Sequence, residues 1–307
     1  MNDKLSTSET TIHYTNLAKY KPSIVDNIIS YLNSLNYSIS EPIKIKILRK
    51  LYLKKYSKKN NEPLVSVYIP TYNRAKMLIE RAVTTVLEQS YNNFEFIIVG
   101  DCCTDETELL VKKIKDKRIK FYNLQYKKEN LNKSKEILWL TGGYAASNFA
   151  LKKIKGDWIA RIDDDINWKK DHLEKLLNFA QKNDLEFCSS LSEIYEEGKK
   201  FVKLGPKAYS DYFGTAKLKR KIKFPDTRMG SHPSWFYRSY LKFFKYNVNA
   251  WRKSWNRGGD VDLFTRFVKI GIEIGYLEEI TGYCYPRPGE KYHGSRAVKE
   301  HGYLGKK

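Results

Sequence analysis

DWIARIDDDINW, residues 157–168, is the stretch on which the reading of this chain turns. A short apolar run, written here as the strand DWIARID over 157–163, ends in Asp163-Asp164-Asp165. Three consecutive carboxylates at the end of a buried strand repel one another unless a cation sits among them. Mg²⁺ and Mn²⁺ bind carboxylate oxygens and keep positions open for phosphate oxygens. An acidic turn capping the next helix is the plainer alternative, but Asp171 already supplies charge for that helix. The pattern therefore points to a divalent-metal site.

Outward from this stretch, strands and helices alternate. VSVYIP (65–70), FEFIIVG (94–100), IKFYNL (119–124) and EFCSSLSE (186–193) read as strands. Helical spacing falls at 75–89, near 104, at 144–154 and at 171–181. This alternation predicts an α/β fold, a mostly parallel Rossmann-like sheet flanked by helices. Ligands of such sheets lie beyond the carboxyl ends of the strands, where the polar clusters fall.

Upstream, the pattern predicts a loose start and a helical hairpin over 1–62, an N-terminal helical extension to the main domain. Its apolar stripe, Ile24, Ile28, Ile29, Leu32 and Leu35, then Ile43, Ile47, Leu48 and Leu51, reads as a face docked on the core, with a membrane anchor as the alternative. Residues 63–195 form the regular half and 196–285 a less regular one. In that second half 195–224 reads as a hairpin or loop excursion and 260–270 as a helix. A flexible tail, 286–307, follows.

The formal net charge of +21 asks for an anionic partner such as nucleic acid, a membrane surface or a phosphorylated substrate, or else reflects a lysine-rich soluble surface. With 41% hydrophobic and 14% aromatic residues the chain can bury a core. No run of about 18 apolar residues and no signal-peptide core is present, so a cytoplasmic protein, or one peripheral to a membrane, is expected. Cys102, Cys103, Cys188 and Cys284 have no zinc or disulfide spacing and read as reduced thiols.

Two further clusters end strands. Pro70-Thr71-Tyr72-Asn73-Arg74 lacks the glycine-rich turn of a dinucleotide fingerprint or P-loop; its ring and amide suit a base, although an ordinary loop would look the same. In Gly100-Asp101-Cys102-Cys103-Thr104-Asp105, Asp101 is placed to accept a bond from base or ribose, and Thr104 or Asp105 to cap a helix. Trp235, in SHPSWFYR, suits either an acceptor platform or the core. His293, in EKYHGSRAV, suits a metal or phosphate ligand or a solvated loop.

Taken in order, VSVYIPTYNR, VGDCCTDET and TGGYAASNFALKKIKGDWIARIDDDINW resemble the inverting glycosyltransferases of family 2, over about 64–180 and more weakly to about 285. The resemblance implies the GT-A fold, Mn²⁺ or Mg²⁺, and a nucleotide-sugar donor, with UDP favoured. It implies that Pro70, Thr71, Tyr72, Asn73, Arg74 and Asp101 hold base and ribose. Asp163 and Asp165 form the Asp-x-Asp motif, with Asp165 the principal metal ligand; Asn148 matches an Asn preceding that motif, and Asp163, Asp164 and Asn148 are implied to contact the nucleotide-sugar. Gly100 stands where many members carry an Asp. The catalytic base falls at Asp260, with Asp262 second, and Gly259 replaces the usual Glu of that motif. Arg257 would help the diphosphate leave. The acceptor is a glycan, a lipid-linked glycan or a protein. A nucleotidyltransferase, which would want a glycine-rich lysine-bearing loop, and a nucleic-acid-binding module are the competing readings; nucleic acid is the weaker expectation.

Overall fold

In the computed structural model, residues 21–56, 62–125, 137, 140–196, 198–203, 230–253 and 257–287 are described. The expectation for His293, and most of those for 195–224 and the tail, lie outside them. β1 (Val65–Thr71) and β2 (Phe94–Gly100) are buried along their whole length. Continuous apolar runs of this kind suit central parallel strands covered on both faces. β3 (Ile119–Asn123), β2, β1 and β4 (Trp158–Arg161) pair in parallel, in that order.

Beyond β4 the sheet changes character. β8 (Phe236–Arg238) runs antiparallel to both β4 and β6 (Phe187–Glu196). β9 (Ile274–Cys284) is parallel to β6, while β5 (Ile166–Trp168) and β7 (Lys199–Lys203) pair antiparallel with β9 and β6. Parallel pairing thus holds for the regular half and gives way to a mixed sheet in the second, where β8 lies antiparallel between β4 and β6. The hairpin expected after Tyr195 is the β6–β7 pair.

Side chains alternate across β1. Val65, Val67 and Ile69 pack with Leu78, Val83, Leu173 and Leu176 on one face. Tyr68 joins Tyr144, Ala150, Phe264 and Phe267 on the other. The first face belongs to α2, three consecutive helical stretches Ala75–Met77, Leu78–Val83 and Thr84–Leu87, and to α5 (His172–Lys182). The second belongs to α4 (Tyr144–Lys153) and α6 (Gly259–Ile270). α3 (Thr107–Lys113) follows β2. The middle stretch of α2 is π-helical, and a widened turn of this kind often sits at a functional site.

The N-terminal extension is one helix, α1 (Ile24–Tyr56), and not a hairpin: Pro42 lies inside its 33 residues. An internal proline removes a backbone bond and costs about 3 kcal/mol. Contacts on both sides of Pro42 offset that cost. Ser23 and Asp26 cap the start reciprocally, with Ser23 N–H to Asp26 at 3.0 Å and Asp26 N–H to the Ser23 hydroxyl at 3.1 Å. Asp26 meets Arg252 at 2.5 Å, Glu41 meets Arg266, and Arg49 grips Glu186 with two nitrogens. The expected docking stripe is also corrected. Ile24, Ile28, Leu32, Leu35, Ile43, Ile47 and Leu51 face outward, and the docked face consists of the ion pairs with buried Ile45 and half-buried Leu48 and Tyr52.

Candidate active site

Beyond the carboxyl ends of β1 and β2, two loops lock together. Asn73 and Cys102 adopt left-handed backbone conformations, with φ 49° and 66°. The Asn73 amide accepts the Thr104 N–H at 2.8 Å and donates to its hydroxyl at 3.1 Å. Asn123 accepts the Cys103 N–H at 2.9 Å and donates to the Cys103 carbonyl at 2.8 Å. Asp105 accepts N–H groups of Thr107 and Ala75, both at 3.1 Å, and so fastens the starts of two helices. Asn73 therefore shapes the cleft with its backbone and spends its amide on the loop. Pro70 is buried, with its ring 3.1 Å from where a Cβ on Gly143 would lie. Tyr72 stays partly exposed at the rim, and Asp101 is buried beside it.

Gly100 has a local cause. A Cβ there would come within 2.6 Å of the Asn123 side-chain oxygen. The volume an aspartate would need is filled by the side chain that holds the Cys102–Cys103 turn.

The three aspartates after β4 point to three different partners. Asp164 is buried and accepts from the Thr71 hydroxyl and from Arg74, each at 2.8 Å. It ties the end of β4 to the end of β1, so Asp164 and Arg74 act as a strut. Burial pushes the Asp164 carboxyl up, with Arg74 opposing and Asp165 adding to the rise. Asp163 keeps about a third of its side chain exposed and meets Arg161 at 2.7 Å. Asp165 is buried and pairs with Arg287 at 3.2 Å. Its backbone carbonyl accepts from Arg81 at 3.3 Å, and Arg81 also reaches the Pro286 carbonyl at 3.0 Å. The π-helical turn thus fixes both the acidic loop and the start of the tail.

Among the described residues no three of His, Cys, Asp and Glu converge as a metal cluster. Two carboxylates still fit Mg²⁺ or Mn²⁺, which take one or two such ligands and complete their shell with phosphate oxygens and water. Asp163 and Asp165 are the carboxylates the sequence offers for such an ion, and Asp165 pairs with a cation, Arg287.

The opposite wall is built on the start of α6. Asp260 keeps partial contact with solvent, and its carboxylate accepts from the Val261 N–H at 2.8 Å. The Tyr144 hydroxyl lies 3.4 Å away and accepts the Gly259 N–H at 3.1 Å. A Cβ on Gly259 would lie 2.6 Å from the Tyr144 ring, so this ring occupies the room that a glutamate would take. Burial raises the Asp260 carboxyl above the usual range; the Val261 N–H and Arg161 oppose the rise, and Asp163 adds to it.

Arg161 underlies both walls. It is buried, and its Nε and Nη1 make no hydrogen bond among the described residues. Its charge faces Asp163, Tyr68, Tyr246 and Asp260. A chain of contacts runs from the His232 ring to the Tyr246 hydroxyl and on to the Tyr68 hydroxyl, each at 2.8 Å. Burial, then Arg161, hold His232 well below its ordinary value, so the ring stays neutral.

Several expectations change here. Asp262 is buried between Lys253 and Arg266, 3.1 Å from the latter, and these cations hold its carboxyl low against the effect of burial; it fastens α6 and faces no cleft. Asn148 bonds both backbone groups of Tyr246, at 2.8 and 2.9 Å, which uses up its amide. Trp235 is fully buried against Phe187, Phe264 and His232 and offers no open face to a sugar. Arg257 is buried with its Nε on the Trp251 carbonyl at 2.8 Å. Arg161, Tyr144, Arg81 and Arg287 were missed. Arg161, a charge inside an apolar strand, was the one legible signal among them.

The family model described as glycosyl transferase family 2 matches residues 66–243. The chain belongs to this family. It is 30% identical over 255 residues to WcaA of Escherichia coli K12, named for colanic acid biosynthesis, covering 80% of each chain. It is 39% identical over 130 residues to TuaG of Bacillus subtilis, named for teichuronic acid biosynthesis, covering 42% of this chain and 46% of that one. The match to WfgD of Escherichia coli, a UDP-Glc:α-D-GlcNAc-diphosphoundecaprenol β-1,3-glucosyltransferase, is 33% identical over 131 residues, 43% of this chain and 46% of that one. The aligned part thus spans about half the length of these last two relatives. In fold, this family 2 chain resembles Staphylococcus aureus TarS solved with UDP-GlcNAc, at TM-score 0.54 and 20% identity over 74% of this chain and 60% of that one. It also resembles mannosyltransferase PcManGT of Pyrobaculum calidifontis, solved with GDP-Man and Mn²⁺, at TM-score 0.51 and 16% identity over 86% and 68%. The chain is therefore a member of glycosyl transferase family 2 with the GT-A fold.

Proposed function

We propose that this glycosyltransferase inverts configuration, depends on a divalent metal, and moves a sugar from a UDP-sugar to a hydroxyl of a lipid-linked glycan in polysaccharide synthesis. One observation carries the reading: Asp163, at the acidic end of β4, pairs with the buried guanidinium of Arg161, and the charge of that same guanidinium acts on Asp260, at the start of α6. A donor-side carboxylate and a candidate base thus share one electrostatic frame. The names of TarS, seen with UDP-GlcNAc, and of WfgD, a UDP-glucose enzyme acting on a diphosphoundecaprenol substrate, support the donor and acceptor classes.

In this reading the loops bearing Tyr72 and Asp101 receive the nucleotide, and residues 63–195 form the donor half. Residues 196–285 form the acceptor half. Asp163 and Asp165 would hold Mg²⁺ or Mn²⁺, which supplies Lewis-acid neutralisation of the departing diphosphate. Asp260 takes the proton of the acceptor hydroxyl as that oxygen bonds the anomeric carbon. The bond from that carbon to the diphosphate breaks on the opposite face, and the nucleoside diphosphate leaves with the electron pair. A raised carboxyl is a better base than an ordinary one, as this step requires. Reduced cysteines fit a cytoplasmic site of action.

The test is nucleotide release from a panel of UDP- and GDP-sugars, with Mn²⁺ or with chelator, alongside Asp165→Ala. Metal-dependent release from one UDP-sugar, lost in the variant, is the expected result. Release unaffected by chelator, or from a GDP-sugar alone, would overturn the metal or the donor assignment.

A further inference from the structure

α1 carries two faces of opposite chemistry. The inner face is polar at its anchoring points: Asp26, Glu41 and Arg49 are spent on Arg252, Arg266 and Glu186. The outer face is apolar. Ile24, Ile28, Leu32, Leu35, Ile39, Ile43, Ile47 and Leu51 recur every three or four residues and are each 42–79% exposed. That row runs about 40 Å along the helix. A continuous apolar patch on a folded surface marks an interaction site.

Charge on α1 narrows the partner. Asp26 and Glu41 are the only acidic residues between Ile24 and Tyr56, and both turn inward. The outer side therefore carries cations alone, exposed Lys44, Lys46 and Lys50. Lys46 and Lys50 also line a cleft of about 470 Å³ between α1 and the end of α6, together with Arg49, Lys269, Ile45 and Ile270. An apolar row beside a cationic cleft matches a surface with acyl chains below and phosphate headgroups above. No described helix is long and apolar enough to cross a membrane, so the contact is with one leaflet.

We propose that the outer face of α1 is a docking surface for an anionic phospholipid membrane, on which the helix lies flat. Its apolar row enters the interface and the Lys46–Lys50–Lys269 cleft receives lipid phosphates. This proposal stands on α1 and is independent of the donor and acceptor assignment.

The full chain is sedimented with vesicles of phosphatidylcholine, alone or with about one third phosphatidylglycerol, and its mass in solution is measured by light scattering. The expected result is binding to the anionic vesicles that weakens with salt and is absent from pure phosphatidylcholine. Ile28→Ser/Leu32→Ser lowers the partition coefficient by about a hundredfold, and Lys46→Glu/Lys50→Glu abolishes the preference for anionic lipid. Both doublets replace exposed side chains, so circular dichroism and nucleotide release from the donor in the presence of a water-soluble acceptor stay at wild-type level. Absence of wild-type binding, or equal binding by the variants, overturns the proposal. A wild-type dimer that the Ile28/Leu32 doublet converts to monomer also overturns it, by showing that a second copy covers the row.

Discussion

The Tyr144 hydroxyl stands 3.4 Å from an Asp260 carboxylate oxygen while it accepts the backbone N–H groups of Gly259 and Asp260 at 3.1 and 3.3 Å. One phenol from α4 therefore fixes the first turn of α6 and the carboxylate on it. Asp260→Asn should lower kcat by about 10²–10⁴-fold while leaving nucleotide affinity unchanged. Calorimetric UDP binding beside single-turnover transfer separates the two effects.

The raised Asp260 carboxyl sets the acid limit of activity. The base must be deprotonated, so kcat falls as pH drops through a value above the ordinary carboxylate range. Tyr144→Phe removes a neutral donor to the carboxylate, which should move that limb to higher pH and lower kcat by about tenfold. His232, held neutral, adds no limb near its ordinary value. A limb at the usual aspartate position in wild type would remove Asp260 as the base.

Gly259→Ala drives a methyl group into the Tyr144 ring, 2.6 Å away. Overpacking of this kind costs about 1–3 kcal/mol. The same shift turns Tyr144 away from Asp260, so transfer should fall further than thermal stability does. Calorimetry and kcat on one preparation check this; equal losses would mean that the glycine serves packing alone.

Arg287 and a divalent ion would compete for one carboxylate, since Arg287 already pairs with Asp165. Arg287→Ala should therefore lower the Mn²⁺ concentration needed for half-maximal activity. A Mn²⁺ titration that shifts to higher concentration would instead place Arg287 on the substrate.

His172 is buried against Trp168, with its Nδ1 2.8 Å from the Thr281 hydroxyl. Burial lowers its value from 6.5 to about 3. The unfolded chain binds the proton and the folded one refuses it, so stability falls as pH drops. The loss is about 1.4 kcal/mol per pH unit between about 6.5 and about 3. His172→Gln should flatten that part of a stability–pH profile.

Sequence periodicity captured what local chemistry dictates. The buried runs of β1 and β2 and the acidic end of β4 were readable because strand burial and carboxylate repulsion are properties of neighbours in the chain. Roles set by distant partners were not. Asp163, Asp164 and Asp165 look alike in sequence, yet Arg161, Arg74 and Arg287 give them three different tasks. Trp235 reads the same whether it lines a platform or a core, and Phe187 and Phe264, far away in sequence, decide for the core. The stripe on α1 was recognised, but its direction depended on Arg252, Arg266 and Glu186, which no helical wheel contains.

Those three ion pairs bear on where the chain can be cut. A shortened protein starting at Pro63 would keep the whole sheet but lose Asp26, Glu41 and Arg49. Arg266, 7% exposed, would retain Asp262 and lose its second carboxylate, while Glu186 would lose the guanidinium that grips both its oxygens. Removing one partner of a buried pair costs about 3–5 kcal/mol, a large part of what a domain of this size has to spare. Because Arg266 and Asp262 sit on the same helix as Asp260, trimming α1 should loosen the helix that presents the base.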